Sequence, residues 1–275
     1  MTASVVFAVV AICSSLVAAV VTRPLLRLGR FRAVNWRGAA IPRGYGISLP
    51  LAEGVAALLW WVCGNDISRL VIPLLGLFGM AGVGLMDDLS REPAGGGFRG
   101  HARVLLQERR VAVGLLKAIL GGPICFAVGF GLAGVGGPGN HALVGVLNGL
   151  LLALLANGVN LLDVRPGRAG KAAFGGYLVA LAAVPTSAMR YLPVMLASVL
   201  FLPADCKGRA MMGDTGAYPL GFALGLALLP LSSAPKAAIC CVLVCFHLYC
   251  EVKSVTAAIE RSRILKWMDS LWVEK

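Results

Sequence analysis

Charge is scarce in this sequence. Only 14% of its 275 residues are charged, and 13 of them are Asp or Glu against 25 Lys or Arg. A soluble domain of this length covers its core with charge, and too little is present here to do so, which excludes a soluble helical bundle. Zinc and disulfide chemistry also lack their signatures. None of the eight cysteines forms a CxxC pair, and the three histidines (His101, His141 and His247) have no partner at zinc-site spacing. Cys13, Cys63, Cys125, Cys240, Cys241, Cys245 and Cys250 fall in or at the ends of apolar runs, and Cys206 lies in a polar segment. They read as small packing residues. No internal repeat and no dividing linker is present, so residues 1–275 read as a single integral membrane domain.

What the sequence has in abundance is apolar chain, at 58% of residues. It comes in runs of roughly 17 to 21 residues, long enough to cross a hydrocarbon core of about 30 Å as helices. Hydropathy places spans at about 3–22, 46–63, 70–86, 114–134, 142–158, 171–187, 190–204, 217–233 and 236–250. The expectation is an all-α polytopic membrane protein with about nine transmembrane helices. The first run is too long for a signal peptide and has no basic residues before it, so it reads as a retained helix.

The net charge of +12 raises the question of nucleic acid, and its distribution answers it. Nine spans put segments 23–45, 87–117, 157–171, 204–216 and 251–275 on one side, and these hold 22 of the 25 Lys and Arg. Arg69, Arg190 and Lys236 fall on the other. The positive-inside rule makes the basic side cytoplasmic and the N-terminus external, in a multi-pass protein of the cell membrane. The basic excess is thus a topology signal that also attracts anionic headgroups or phosphorylated substrates, and nucleic acid is not an expected partner.

The unusual residues gather in those basic segments. Ile41-Pro42-Arg43-Gly44-Tyr45-Gly46 is a tight turn that either closes over a phosphorylated substrate or simply turns the chain. Asp87 and Asp88 end a long apolar run. Adjacent helical residues point about 100° apart, so one carboxylate can face a metal and the other a substrate. A solvated helix end explains them poorly, because anions are unfavourable at a helix C-terminus. Lys117 stands just inside an apolar helix, where it either snorkels to headgroups or serves a phosphate or carboxylate. Asn157, Asn160 and Asp163 form one polar stripe if their helix continues that far. Asp214 lies between Gly213 and Thr215-Gly216, directly before an apolar run, where it suits a helix cap, a metal ligand or both. The tail 251–275 is basic and amphipathic, with Val255, Ala258, Ile259, Leu265, Met268 and Trp272 near helical spacing. It reads as a cytoplasmic interfacial segment, with Trp267 and Trp272 at headgroup level. Carboxylates converging at a membrane surface suit a hard divalent cation such as Mg²⁺, and Mg²⁺ suits phosphoryl transfer.

Four stretches in this order resemble the polyprenyl-phosphate N-acetylhexosamine-1-phosphate transferase superfamily: Gly84-Leu-Met-Asp87-Asp88, Gly114-Leu-Leu-Lys117, Asn157-Gly-Val-Asn160-Leu-Leu-Asp163 and Met212-Gly213-Asp214-Thr215-Gly216. That superfamily includes the translocase that makes lipid I of peptidoglycan, and the enzymes that start O-antigen and teichoic acid synthesis. The resemblance covers roughly residues 20–250. It implies a ten-helix fold with a cytoplasmic active site, and transfer of a sugar-1-phosphate from a UDP-sugar to polyprenyl phosphate, releasing UMP with Mg²⁺. Within it, Asp214 would ligate Mg²⁺, Asp87 and Asp88 would handle metal and lipid phosphate, and Lys117 would neutralise phosphate. Asn157, Asn160 and Asp163 would line the nucleotide site. The partners implied are polyprenyl phosphate, a nucleotide-sugar and the membrane, and the sequence allows a homodimer.

Some features depart from the family. Val164 and Pro166 stand where it usually carries Gly and a second Asp, Met211 replaces an aromatic residue, and the His-rich last cytoplasmic loop and the tenth span are absent. These changes bear on donor recognition more than on reaction class. Two rival readings are a binding or scaffold protein that keeps the metal site without turnover, and a transporter. Spans nearly free of buried charge speak against the transporter.

Overall fold

The computed structural model describes residues 3–25, 31–35, 37–90, 113–136 and 140–274. His101 and the Gly-rich, basic stretch between the two halves of the site lie outside them. The described chain is overwhelmingly helical. Its helices are α1 (Ala3–Leu25), α2 (Ser48–Val62), α3 (Ser68–Ser90), α4 (Val113–Gly131), α5 (His141–Leu162), α6 (Arg168–Ala183), α7 (Pro185–Arg190), α8 (Leu192–Cys206), α9 (Asp214–Leu228), α10 (Ser233–Val252), α11 (Val255–Arg261) and α12 (Arg263–Ser270).

Among the described residues, five stretches are long and apolar enough to cross a membrane: Phe7–Pro24, Tyr45–Val62, Ser68–Ser90, His141–Leu162 and Ser233–Val252. A helix needs about 20 residues to span 30 Å of hydrocarbon. The helices α6, α8 and α9 have 16, 15 and 15 residues and fall short on length. The outward faces of the long helices stay apolar, as at Leu75, Val242 and Leu248, which suits a lipid solvent rather than water.

The centre of the bundle is α9. Every residue from Thr215 to Leu228 is buried, and the helix packs against α3 and α5, with α4 behind them. A helix apolar on all sides has no face for water and must be enclosed by others. Among the buried charged side chains are Glu53 in α2 and Lys236 in α10. Lys236 Nζ donates to Asn148 Oδ1 at 2.7 Å and to the Leu229 carbonyl at 3.2 Å. The spans therefore carry more buried charge than hydropathy suggests.

One feature is not helical. Strands β1 (Arg32–Val34) and β2 (Ala40–Pro42) form an antiparallel hairpin, with Ala33 opposite Ile41. Beyond β2 the chain pairs with residue 211: Met211 N donates to Pro42 O at 2.8 Å, and Gly44 N to Met211 O at 3.0 Å. This platform carries the Arg43 turn onto the segment that leads into α9.

Candidate active site

Three helices bring the site together at one end of the bundle. Asp87 and Asp88 lie in the last turn of α3, Lys117 in the second turn of α4, and Asp214 is the first residue of α9. One carboxylate oxygen from each of Asp87, Asp88 and Asp214 falls within 4.8 Å of the others. Lys117 Nζ reaches Asp214 Oδ2 at 2.6 Å and Asp87 Oδ2 at 2.8 Å. Its ammonium also lies 5.8 Å from the centroid of the Tyr218 ring. The choice left open by sequence, between snorkelling and serving a carboxylate, goes to the carboxylates.

The two adjacent aspartates have different surroundings. Asp87 turns toward Lys117 and Asp214. Asp88 is buried, and its oxygens accept from Asp214 N at 3.1 Å, Thr215 N at 3.0 Å and Thr215 Oγ1 at 2.6 Å. It also pairs with Arg43 Nη2 at 2.7 Å. Asp88 is therefore the cap of α9, supplied from another helix: it accepts orphan amides of the first turn and places negative charge at the positive end of the dipole. Gly213, the residue at the cap position, supplies no side-chain bond of its own. Asp214 is the first helical residue and does not fill the capping role that its sequence neighbours suggested for it.

Glycines allow this closeness. Gly213 has φ +72°, and a side chain there would run into the Asp88 carboxylate. A Cβ on Gly84 would overlap the Asp214 carbonyl, and one on Gly46 the backbone of Gly216. In both cases the neighbour is main chain, which cannot swing aside.

Helix α5 does continue as far as the polar stripe requires. It runs to Leu162, and Asp163 is its C-cap, donating its amide to the Asn160 carbonyl at 3.0 Å. Asn160 Nδ2 donates to Tyr218 Oη at 3.2 Å, so Tyr218 joins the stripe to Lys117. Asn157 is half-buried one turn before Asn160, and Asp163 also keeps a partly open face. Desolvation pushes the Asp163 carboxyl well above the usual carboxylate range. The carboxylates of Asp205, Asp214 and Asp88 add to the shift, and Arg43 opposes it. The Asp214 carboxyl is raised by burial first and by Asp87 second, against the pull of Lys117. Both shifts report burial first and the crowding of neighbouring carboxylates second.

Several contributors were not singled out by sequence. Tyr218 follows Asp214 by four residues, one helical turn, and that spacing is the signal that places both on one face. Asp205 is a fifth acid of the same region. It is buried and accepts from Tyr45 Oη at 3.2 Å, while the Tyr45 ring stacks on Phe201 with centroids 4.7 Å apart. Arg43 has a definite partner in Asp88, so its turn does more than reverse the chain.

The donor set fits a divalent cation. Asp87 and Asp214 offer hard oxygens facing one another across a single ammonium, with Asp88 behind them and already committed to α9. No protein-family model matches this chain, and a search of curated proteins finds no match.

Proposed function

We propose that this chain is a Mg²⁺-dependent transferase that moves a sugar-1-phosphate from a UDP-sugar to polyprenyl phosphate, releasing UMP. The donor class is a UDP-N-acetylhexosamine, and the product serves cell-envelope polysaccharide or peptidoglycan synthesis. The observation that carries the reading is the meeting of Asp87, Lys117 and Asp214, from segments far apart in sequence, at one end of the helices. Each belongs to one of the stretches that resemble the superfamily. The reading includes nine spans, an external N-terminus and a cytoplasmic site. Its support is the placing of all the motifs at one end of the bundle, together with the basic segments.

Asp214 and Asp87 would hold Mg²⁺, which supplies charge neutralisation at the diphosphate when bound. The reaction exchanges one diphosphate linkage for another. An oxygen of the lipid phosphate bonds to the donor's β-phosphorus, and the bond from that phosphorus to the UMP oxygen breaks. The nucleophile is already anionic, so no general base is required, and positioning carries most of the catalysis. Lys117 balances phosphate charge from the α4 side. Asn157, Asn160 and Asp163 line the nucleotide side, with Tyr218 fixing the Asn160 amide.

The test is transfer by purified full-length protein supplied with polyprenyl phosphate, a panel of UDP-sugars and Mg²⁺, read as UMP release and labelled lipid. One UDP-N-acetylhexosamine should support turnover, and EDTA should abolish it. Nucleotide-sugar binding without UMP release under any condition would sink the transferase reading in favour of an inactive binding or scaffold protein. That alternative draws on Val164 and Pro166, which interrupt the stripe where the superfamily carries Gly and a second Asp.

A further inference from the structure

Helix α12 carries two faces with different fates. Ile264, Trp267, Met268 and Leu271 recur at i, i+3, i+4 and i+7, which puts them on one side. Asp269 projects about 150° away from the centre of that row, at 100° per residue. Its carboxylate is gripped by the fork of Arg168, Nε to Oδ1 at 2.7 Å and Nη2 to Oδ2 at 2.8 Å, while Nη1 of the same guanidinium donates to Thr256 Oγ1 at 3.0 Å. Arg168 is itself buried. Lys171 Nζ donates to the Met268 and Leu271 carbonyls, each at 3.2 Å, and so closes the end of α12. The protein thus holds the polar side of the helix. The apolar side touches little: Ile264 is 70% exposed, Trp267 62%, Met268 51% and the following Trp272 69%.

Two observations say what covers that side. Only Lys253 and Ser254 separate α11 from α10, one of the five helices able to cross a membrane. Two residues reach no further than roughly 11 Å, so the tail begins at the bilayer boundary. The face is bordered by Arg263 and preceded by Arg261, both exposed, in the pattern of a helix lying in an anionic leaflet. We propose that the exposed face of α12, with Trp272, docks on the leaflet where α10 ends and prefers anionic phospholipid. The Arg168–Asp269 clamp then fixes the loop between Asp163 and α6 to the plane of the headgroups. This inference rests on the membrane helices and not on the transferase reading.

The test uses the full-length chain in nanodiscs of phosphatidylcholine, alone or mixed with phosphatidylglycerol, whose acyl chains carry bromine at shallow or deep positions. The emission difference between the wild type and W267F/W272F isolates the tail. That difference signal should be quenched, more by shallow than by deep bromines, and more with phosphatidylglycerol present. Arg261→Glu and Arg263→Glu should each weaken seating by at least about fivefold in anionic discs, since a basic residue near such a surface contributes on that order. Arg168→Ala should keep the quenching but raise amide exchange over residues 163–171. A difference signal that no bromine quenches overturns the docking, and equal quenching in both compositions overturns the anionic preference. Loss of quenching on Arg168→Ala alone would show that the face does not hold the leaflet by itself. Since the substitutions at 261 and 263 are on the surface, a folding failure cannot mimic these results if thermal unfolding is unchanged.

Discussion

Asp88 and Asp214 are 126 residues apart, and the amide of one donates to the carboxylate of the other. That relation separates two roles that a list of four acids would merge. Asp88 is buried and spent on α9 and Arg43, so its removal leaves orphan amides and an unpaired guanidinium. Hydrogen bonds to a charged group contribute about 1.5–3 kcal/mol each. Asp88→Ala should therefore lower stability by about 2 kcal/mol or more, seen as an earlier thermal unfolding in detergent. Asp214 is different. It shares Lys117 with Asp87, and its neutralisation relieves crowding among carboxylates while Lys117 keeps one partner. Asp214→Asn should abolish Mg²⁺-dependent transfer and shift unfolding little. If Asp214→Asn unfolds as readily as Asp88→Ala, or if it keeps turnover, the division of roles is wrong.

At the scale of elements, the site depends on two approaches that no side chain fits. Gly84 of α3 lies against the Asp214 carbonyl and Gly46 against Gly216. Because backbone meets backbone, Gly84→Ala must move one helix. The expected result is loss of transfer with the protein still inserted, whereas Gly82→Ala, which meets nothing within 4 Å, should be neutral. A second element-level prediction concerns pH. The Asp269 carboxyl is held below the usual carboxylate range by the hydrogen bonds from Arg168, with Lys171 and Arg165 adding to the effect against partial burial. A depressed value in the docked state means that the clamp is at full strength above the undocked value of about 3.9 and is lost as pH falls through the docked one. The clamp, followed as amide protection over residues 163–171 corrected for intrinsic exchange, should be flat from about pH 8 to 5 and fall below about 4. Asp269→Asn should remove that step, and a midpoint near neutrality would contradict the assignment.

These elements also mark how far the sequence could be read. The apolar runs fall on helices, because apolar length is a signal every residue of the run contributes to, but the run at 171–187 is divided at Val184 between α6 and α7 and the one at 217–233 is helical only as far as Leu228. The stripe at Asn157, Asn160 and Asp163 was readable from helical spacing alone. The hairpin at Arg32–Pro42 was not, since strands of three residues carry almost no periodicity and this one is fixed by pairing with Met211. Nor was the capping of α9 by Asp88, or the bridge through Tyr218. Both are tertiary, and a single sequence does not record which helix ends face each other.

At the scale of the whole molecule, sidedness is the property on which a cytoplasmic site depends. Ser90 ends α3 next to the acidic cluster, and Asn140 caps the far end of α5, where its side chain accepts from Ala142 N and Leu143 N. Helix α5 is 22 residues, about 33 Å, so the Asn140 end and the Asp163 end are separated by about the thickness of a hydrocarbon core. Both Ser90 and Asn140 are exposed, whereas Cys206 is fully buried against Gly167 and makes a poor reporter. In a cysteine-free background, Ser90→Cys should react with an impermeant maleimide only in inside-out vesicles, and Asn140→Cys only in right-side-out vesicles or intact cells. Loss of the Asn140 cap costs about 1 kcal/mol, small enough for a bundle to keep its insertion. Reaction of both positions from the same side would break the nine-span arrangement. Reaction in the reverse sense would keep the arrangement but place the acidic cluster outside, where no UDP-sugar is supplied, and the transferase reading would fall with it.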